Sequence, residues 1–233
     1  MNNNMNNTLC VINSCFSKEI YNEESLFQKI KNIYFFADNY LDSSSKICLI
    51  NDGPIDISID HNKINIITSK KRLGRDVDTI KKFVTGLNYF IESDYETFIL
   101  LLDDFYIFPS FVTKLKNSNK NIILSKFDLN KCLFEIFLFV KNDKNFIINL
   151  IKFLSNYDKS FDESLLVNYL NKIELNNSEK IDFNLIKSFR PHKNFKNLTE
   201  EEIKNYAQYD LLYQSIGFDG GVYGKDIFFN NTI

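Results

Sequence analysis

Two carboxylates stand side by side at the end of an apolar run, in Glu96-Thr-Phe-Ile-Leu-Leu-Leu-Asp103-Asp104-Phe-Tyr-Ile-Phe-Pro109. Oxygen donors of this type suit a hard cation such as Mg²⁺ or Mn²⁺, which takes one or two carboxylates and fills its shell with phosphate and water oxygens. A cation held there would act as a Lewis acid on a phosphate leaving group. Phe98 to Leu102 are too few for a helix and read as a central strand buried on both faces. Acids at the carboxyl end of such a strand sit where open α/β sheets bind ligands. Adjacent strand residues point to opposite faces, so both acids can serve one ion only if the chain has already turned. The competing reading is that the pair forms the solvated end of a buried strand.

Other residues with chemical potential fall in three places. Asn13 and Ser14 end an apolar run, Thr8-Leu-Cys-Val-Ile, and would lie on the same rim with amide and hydroxyl groups. Asp52 follows the run Lys46-Ile-Cys-Leu-Ile-Asn51; the sequence Asn51-Asp52-Gly53-Pro54 is also an ordinary turn signature, so Asp52 is either a ligand contact or a turn residue. Lys70-Lys71-Arg72-Leu-Gly74-Arg75-Asp76 precedes a helix, and Arg72 or Arg75 at a helix amino end suits phosphate. Farther on, Ser160-Phe-Asp162-Glu163 opens a helix in the capping-box manner, which occupies Glu163 and leaves Asp162 the freer acid. His192 and His61 are the two histidines; by itself a lone His in a loop such as His192 reads as solvated, and His61 reads as inert.

These residues need a frame, and the apolar periodicity supplies one. Thr8 to Ser14, Lys46 to Asn51, Lys63 to Thr68 and Phe98 to Leu102 read as strands. Ser25 to Tyr34 and Arg75 to Ile91 read as helices; in the second, Val77, Ile80, Phe83, Val84, Leu87, Phe90 and Ile91 follow i, i+3, i+4, i+7 spacing. Strand, helix, strand, strand, helix, strand predicts an α/β fold with a mostly parallel central sheet flanked by helices. Then come a helix or turn through Phe111 to Leu115, strands around Asn121 to Ser125 and Leu133 to Val140, and a helix over Asn145 to Leu154. Beyond Lys172 the pattern weakens toward an irregular helical carboxyl-terminal part, with Thr199-Glu-Glu-Glu202 capping one more helix and an aromatic, glycine-containing tail.

Composition narrows the function. The chain has 233 residues, enough for one substantial core. Its 28 basic and 30 acidic residues argue against a broad nucleic-acid face. The four cysteines show no metal spacing and read as reduced thiols, which fits a cytoplasmic setting. The amino end lacks the pattern of a signal peptide, and no apolar run is long enough to span a bilayer.

In its order of elements and its acidic strand end, the chain resembles the GT-A glycosyltransferases as far as Leu170. The resemblance implies a nucleotide-sugar-binding half over residues 8–115 and an acceptor-binding half with a carboxyl-terminal lobe over 116–233. It implies a nucleotide-diphospho-sugar donor, a UDP-sugar in the first instance, a hydroxyl-bearing acceptor such as a glycan, and transfer of a hexose assisted by Mn²⁺ or Mg²⁺. On that pattern Asp104, Asp103 and His192 would hold the metal. Asn13, Ser14, Asp52, Arg72, Arg75 and Asp103 would hold the donor, with Asp162 or Glu163 as the base that deprotonates the acceptor. The family's triplet carries acids at its first and third positions, whereas here Phe105 stands third. Two alternatives remain: a sugar-phosphate nucleotidyltransferase, disfavoured because Asn13-Ser-Cys-Phe-Ser-Lys18 contains no glycine, and a non-catalytic α/β binding protein.

Overall fold

The structure, a computed structural model, describes residues 5–14, 23–51, 53, 59–68, 75–102, 105–125, 138–156, 169, 178–181, 185–188 and 210–214. The first strand, β1 (Thr8–Ser14), is followed by α1 (Glu23–Tyr40), β2 (Lys46–Asn51), β3 (Ile64–Thr68), α2 (Arg75–Ile91) and β4 (Thr97–Leu102). These four strands are parallel in the order β3-β2-β1-β4. Their apolar runs carry few polar interruptions because helices cover both faces.

The chain continues through β5 (Phe105–Ile107), α3 (Pro109–Asn117), β6 (Ile122–Ser125), β7 (Leu138–Lys141) and α4 (Lys144–Ser155), then β8 (Ser178–Ile181), β9 (Leu185–Ser188) and β10 (Leu211–Gln214). Strand β7 joins the main sheet antiparallel to both β4 and β6, and β8 pairs parallel to β6. The result is a seven-stranded, mostly parallel sheet, β3-β2-β1-β4-β7-β6-β8, flanked by helices. This is a Rossmann/GT-A-like α/β architecture. A second sheet of three strands, β5-β10-β9, stands beside it.

Strand alternation divides the core in two. Cys10, Ile12, Ile47, Leu49, Ile99 and Leu101 face α1 and α3, whose Ile33, Phe36, Phe111 and Leu115 complete that layer. Leu9, Val11, Cys48, Ile50, Phe98 and Leu100 face α2 and α4, against Phe83, Leu87, Phe90, Ile147 and Leu150. Phe98 to Leu101 are all buried, each contributing about 1.5–3 kcal/mol of transfer free energy. Helix α2 lies unusually close to the sheet: a Cβ at Gly86 would meet Val11 Cγ1 at 2.6 Å.

Neither α1 nor α2 has a basic residue in its last turn. Lysines from elsewhere bind the carbonyls left open at their ends. Lys63 Nζ donates to the carbonyls of Ala37 and Leu41 at 3.1 and 2.7 Å. Lys144 Nζ donates to those of Ile91 and Ser93 at 3.3 and 2.6 Å. Lys63 stands just before β3 and Lys144 opens α4, so each lysine fastens the end of a helix to an element later in the chain. Among the described residues no helix is long and apolar enough to cross a membrane.

The elements read from sequence are present over their described residues, with shifted ends: α1 runs on to Tyr40, and the strand expected from Leu133 is described only from Leu138. The helices expected at Ser160 and Thr199 lie outside the described residues, apart from helical Tyr169, which stacks on Phe153 at 3.9 Å between centroids. The second sheet was not anticipated, nor were β8 to β10 within a region read as irregular.

Candidate functional site

The order β3-β2-β1-β4 contains a reversal. From β1 the chain builds outward to β2 and β3, then α2 carries it back across to β4 on the other side of β1. At such a switch point the loops leaving the two central strands diverge, and their carboxyl ends open a crevice. Asn13 pairs in register with Ile50 on one side and Leu102 on the other, and Ser14 with Asn51. The rim is therefore made by Asn13 and Ser14 of β1, Asn51 of β2 and the end of β4.

Strand β4 ends at Leu102, and the next strand, β5, begins at Phe105 in the other sheet. Asp103 and Asp104 are the two residues between these strands in the sequence. Among the described residues, no group of three or more His, Cys, Asp or Glu side chains is placed to hold a metal. Asp103, Asp104 and His192 themselves lie outside the described residues, as do Asp52, Arg72, Asp162 and Glu163. Arg75 is the first residue of α2; nothing is described of its side chain.

Asn13 is the most informative of the described rim residues. Its side chain is 5% exposed, and neither Nδ2 nor Oδ1 has a hydrogen-bond partner. Leaving buried amide groups unsatisfied costs about 1–3 kcal/mol each, and orphaned polar groups in a folded core call for a ligand, a water or a functional reason. Alternation puts Asn13 on the α2 side of the sheet, one step beyond Val11, which touches Gly86. Ser14, on the α1 side, is buried, and its carbonyl accepts from Lys82 Nζ at 3.3 Å.

Lys82 was missed by sequence reasoning. It lies on α2 one residue before Phe83, and a search for apolar periodicity passes over it. The close approach at Gly86 is what brings an α2 side chain within reach of the β1 tip, and no periodicity signals that distance.

At β2 the turn is made by Asn51. Its Oδ1 accepts from Gly53 N at 2.9 Å, an Asx-turn bond, and its Nδ2 donates to the Gly53 carbonyl at 3.5 Å. The turn therefore does not require the Asp52 carboxylate for that bond. His61 is engaged away from the rim. Its Nδ1 accepts from Lys63 N at 3.2 Å, its Nε2 lies 3.0 Å from Asp38 Oδ1, and its ring stacks on Tyr34. An accepting Nδ1 leaves the proton on Nε2, which donates to Asp38. Cys10 and Cys48 are buried free thiols on opposite faces of neighbouring strands. Burial pushes Cys48 up to about 11 and Cys10 well above its ordinary value, the latter with a contribution from Cys48.

No protein-family model and no curated protein matches the chain. Among solved structures it is similar to a glycosyltransferase involved in the glycosylation of the major capsid of PBCV-1, at 10% identity, covering 88% of this chain and 91% of that one with a TM-score of 0.48. It is also similar to the galactosyltransferase LgtC in complex with donor and acceptor sugar analogues, at 10% identity over 89% and 87% of the chains, TM-score 0.45. A third similarity, to a putative glucose-1-phosphate thymidylyltransferase from Bacillus anthracis, has 9% identity over 75% and 87%, TM-score 0.44.

Proposed function

We propose that the chain is a GT-A-type glycosyltransferase that moves a sugar from a nucleotide-diphospho-sugar donor to an acceptor hydroxyl. One observation carries it: at the switch point between β1 and β4 the buried amide of Asn13 has no hydrogen-bond partner, and Asp103-Asp104 follow β4 directly in the sequence. A crevice at that place takes phosphorylated ligands. Asn13, Ser14 and Asp52 would hold the nucleoside, and Arg72 or Arg75, at the amino end of α2, the diphosphate. Asp104, with Asp103 and His192, would hold Mn²⁺ or Mg²⁺, which when bound supplies charge neutralisation to the departing nucleoside diphosphate. Asp162, or Glu163, would take the proton from the attacking hydroxyl. Residues 8–115 form the donor half in this scheme and 116–233 the acceptor half.

Thermal denaturation with UDP, GDP and CMP, each with and without Mn²⁺, tests the proposal. The expected result is a rise in Tm with one diphosphate, larger when Mn²⁺ is present; no response to any nucleotide would leave a non-catalytic binding protein as the better description. Sugar-nucleotide hydrolysis by Asp104→Ala and Asp162→Ala tests the residues, and unchanged activity in both removes the site assignment.

A further inference from the structure

The contact between α2 and β1 fixes what stands over the tip of β1. A Cβ at Gly86 would lie 2.6 and 3.1 Å from the two Val11 methyls. Helix α2 returns the chain between the parallel strands β3 and β4, so it runs opposite to β1. From Val11 to Asn13 the strand rises about 6.6 Å, at about 3.3 Å per residue. From Gly86 back to Lys82 the helix rises about 6 Å, at about 1.5 Å per residue, and keeps the same face. The two steps match. The hydrogen bond from Lys82 Nζ to the Ser14 carbonyl, at 3.3 Å, shows the lysine reaching the tip.

Ser14 is the last residue of β1 and is buried, so its carbonyl stands at the end of the ladder and needs a donor. Half-buried Lys82 supplies one, and its aliphatic stem covers the α2 side of the sheet, the side on which Asn13 lies. Asn13 Nδ2 and Oδ1 are nevertheless both buried and both without a partner. A lysine that bonded Oδ1 would satisfy half of that amide. This one bonds the backbone of the next residue, and the amide keeps a donor and an acceptor for another group.

We propose that Lys82 is a positioning residue of the candidate site: it pins the end of β1 to α2, shuts water out from the helix side, and keeps the Asn13 carboxamide dry and unpaired for the nucleotide. An amide held in this way binds without first shedding an ordered water or being fixed in place. The inference rests on the proposed transferase reading for the identity of the ligand, and on the α2–β1 contact alone for the coupling of Lys82 to Asn13.

The full chain is tested in two ways. The first is a double-mutant cycle on the folding constant in urea, without nucleotide, using Asn13→Leu, Lys82→Ala and the pair. Asn13→Leu is expected to raise the folding constant about 10-fold in the parent but less than about 3-fold in Lys82→Ala, where water reaches the amide and satisfies it. The second is calorimetric titration with UDP, GDP and CMP in the presence of Mn²⁺. Lys82→Ala is expected to weaken whichever nucleotide the parent binds by about 10-fold, and Lys82→Arg, which keeps a long stem and its donors, to stay within about 3-fold of the parent. An additive cycle, the result expected of a lysine that only fastens a helix to a strand, overturns the proposal. So does nucleotide affinity that is unchanged in Lys82→Ala or lost equally in Lys82→Arg. Should Lys82→Ala fail to fold, Lys82→Met removes the bond and keeps the stem, and affinity equal to the parent's again overturns the proposal. If the cycle is coupled but no nucleotide binds the parent, the transferase reading falls and the hold of Lys82 on Asn13 stands. If a nucleotide binds but the cycle is additive, the transferase reading stands and the role of Lys82 falls.

Discussion

At the scale of single residues, Asn13 sets stability against binding. A buried amide with neither group satisfied lowers the stability of the unliganded fold, so an apolar side chain of similar volume should relieve it. Asn13→Leu is expected to raise unfolding stability by about 1–2 kcal/mol in urea titrations and to abolish the nucleotide-induced rise in Tm. A loss of stability instead would mean that an internal water satisfies the amide and that its role is structural. The thiols give a second expectation at this scale. Cys48 is pushed up to about 11 and Cys10 well above its ordinary value, both by burial, so both stay protonated through pH 9. Iodoacetamide followed by peptide mapping should leave them unmodified in the native protein and label them after unfolding; labelling at the native rate of a free thiol would contradict their burial.

At the scale of elements, the parallel half was legible because its strands are short continuous apolar runs and α2 is strongly amphipathic. Arg75 to Ile91 was read with both of its ends in place, since its apolar stripe begins and stops cleanly. The second sheet was not legible. Strand β5 is three residues long and comes directly after the acids in the sequence, so it reads as the tail of β4; its partner β10 and β10's other partner β9 are four residues each and pair across long stretches of sequence. Nothing local announces pairing of that kind. The rim was legible as far as strand ends reveal it, in Asn13 and Ser14, whereas Lys82 depends on a distance between elements. The α2–β1 contact makes such a distance measurable. Alanine normally improves a helix over glycine by about 1 kcal/mol, yet a Cβ at position 86 would lie 2.6 Å from Val11 Cγ1. Overpacking should win, and Gly86→Ala is expected to destabilise by about 1–3 kcal/mol in urea titrations. Adding Val11→Ala removes the obstructing methyls and should recover part of the loss, so non-additivity of the pair is the diagnostic. Gly86→Ala with unchanged or higher stability would show that α2 can ride further from the sheet.

At the scale of the whole molecule, the second sheet is tied to the main body by buried Ile107, whose carbonyl accepts from the Tyr40 hydroxyl at 3.0 Å, and by polar contacts near the start of α3. Asp210, 1% exposed just before β10, receives Lys114 Nζ at 2.5 Å, and its carbonyl accepts from Phe108 N at 3.0 Å. The two partners are not equivalent, because the Lys114 side chain is 37% exposed and can turn to water while the Asp210 carboxylate cannot. Removing the cation takes a charge partner from a buried carboxylate that keeps its other contacts, a loss of about 1–3 kcal/mol, whereas neutralising the acid leaves a lysine that can turn to water. Lys114→Met should consequently destabilise more than Asp210→Asn, by at least about 1 kcal/mol. The damage should also be regional: hydrogen exchange in Leu211–Gln214 and Phe105–Ile107 should quicken while Thr8–Ser14 and Thr97–Leu102 keep their protection. Because Phe105 adjoins the acidic link directly, the same variant should weaken nucleotide binding even though Lys114 lies outside the proposed site. Equal destabilisation by the two variants, with uniform loss of protection, would instead describe one cooperative unit in which the second sheet has no stability of its own to lose.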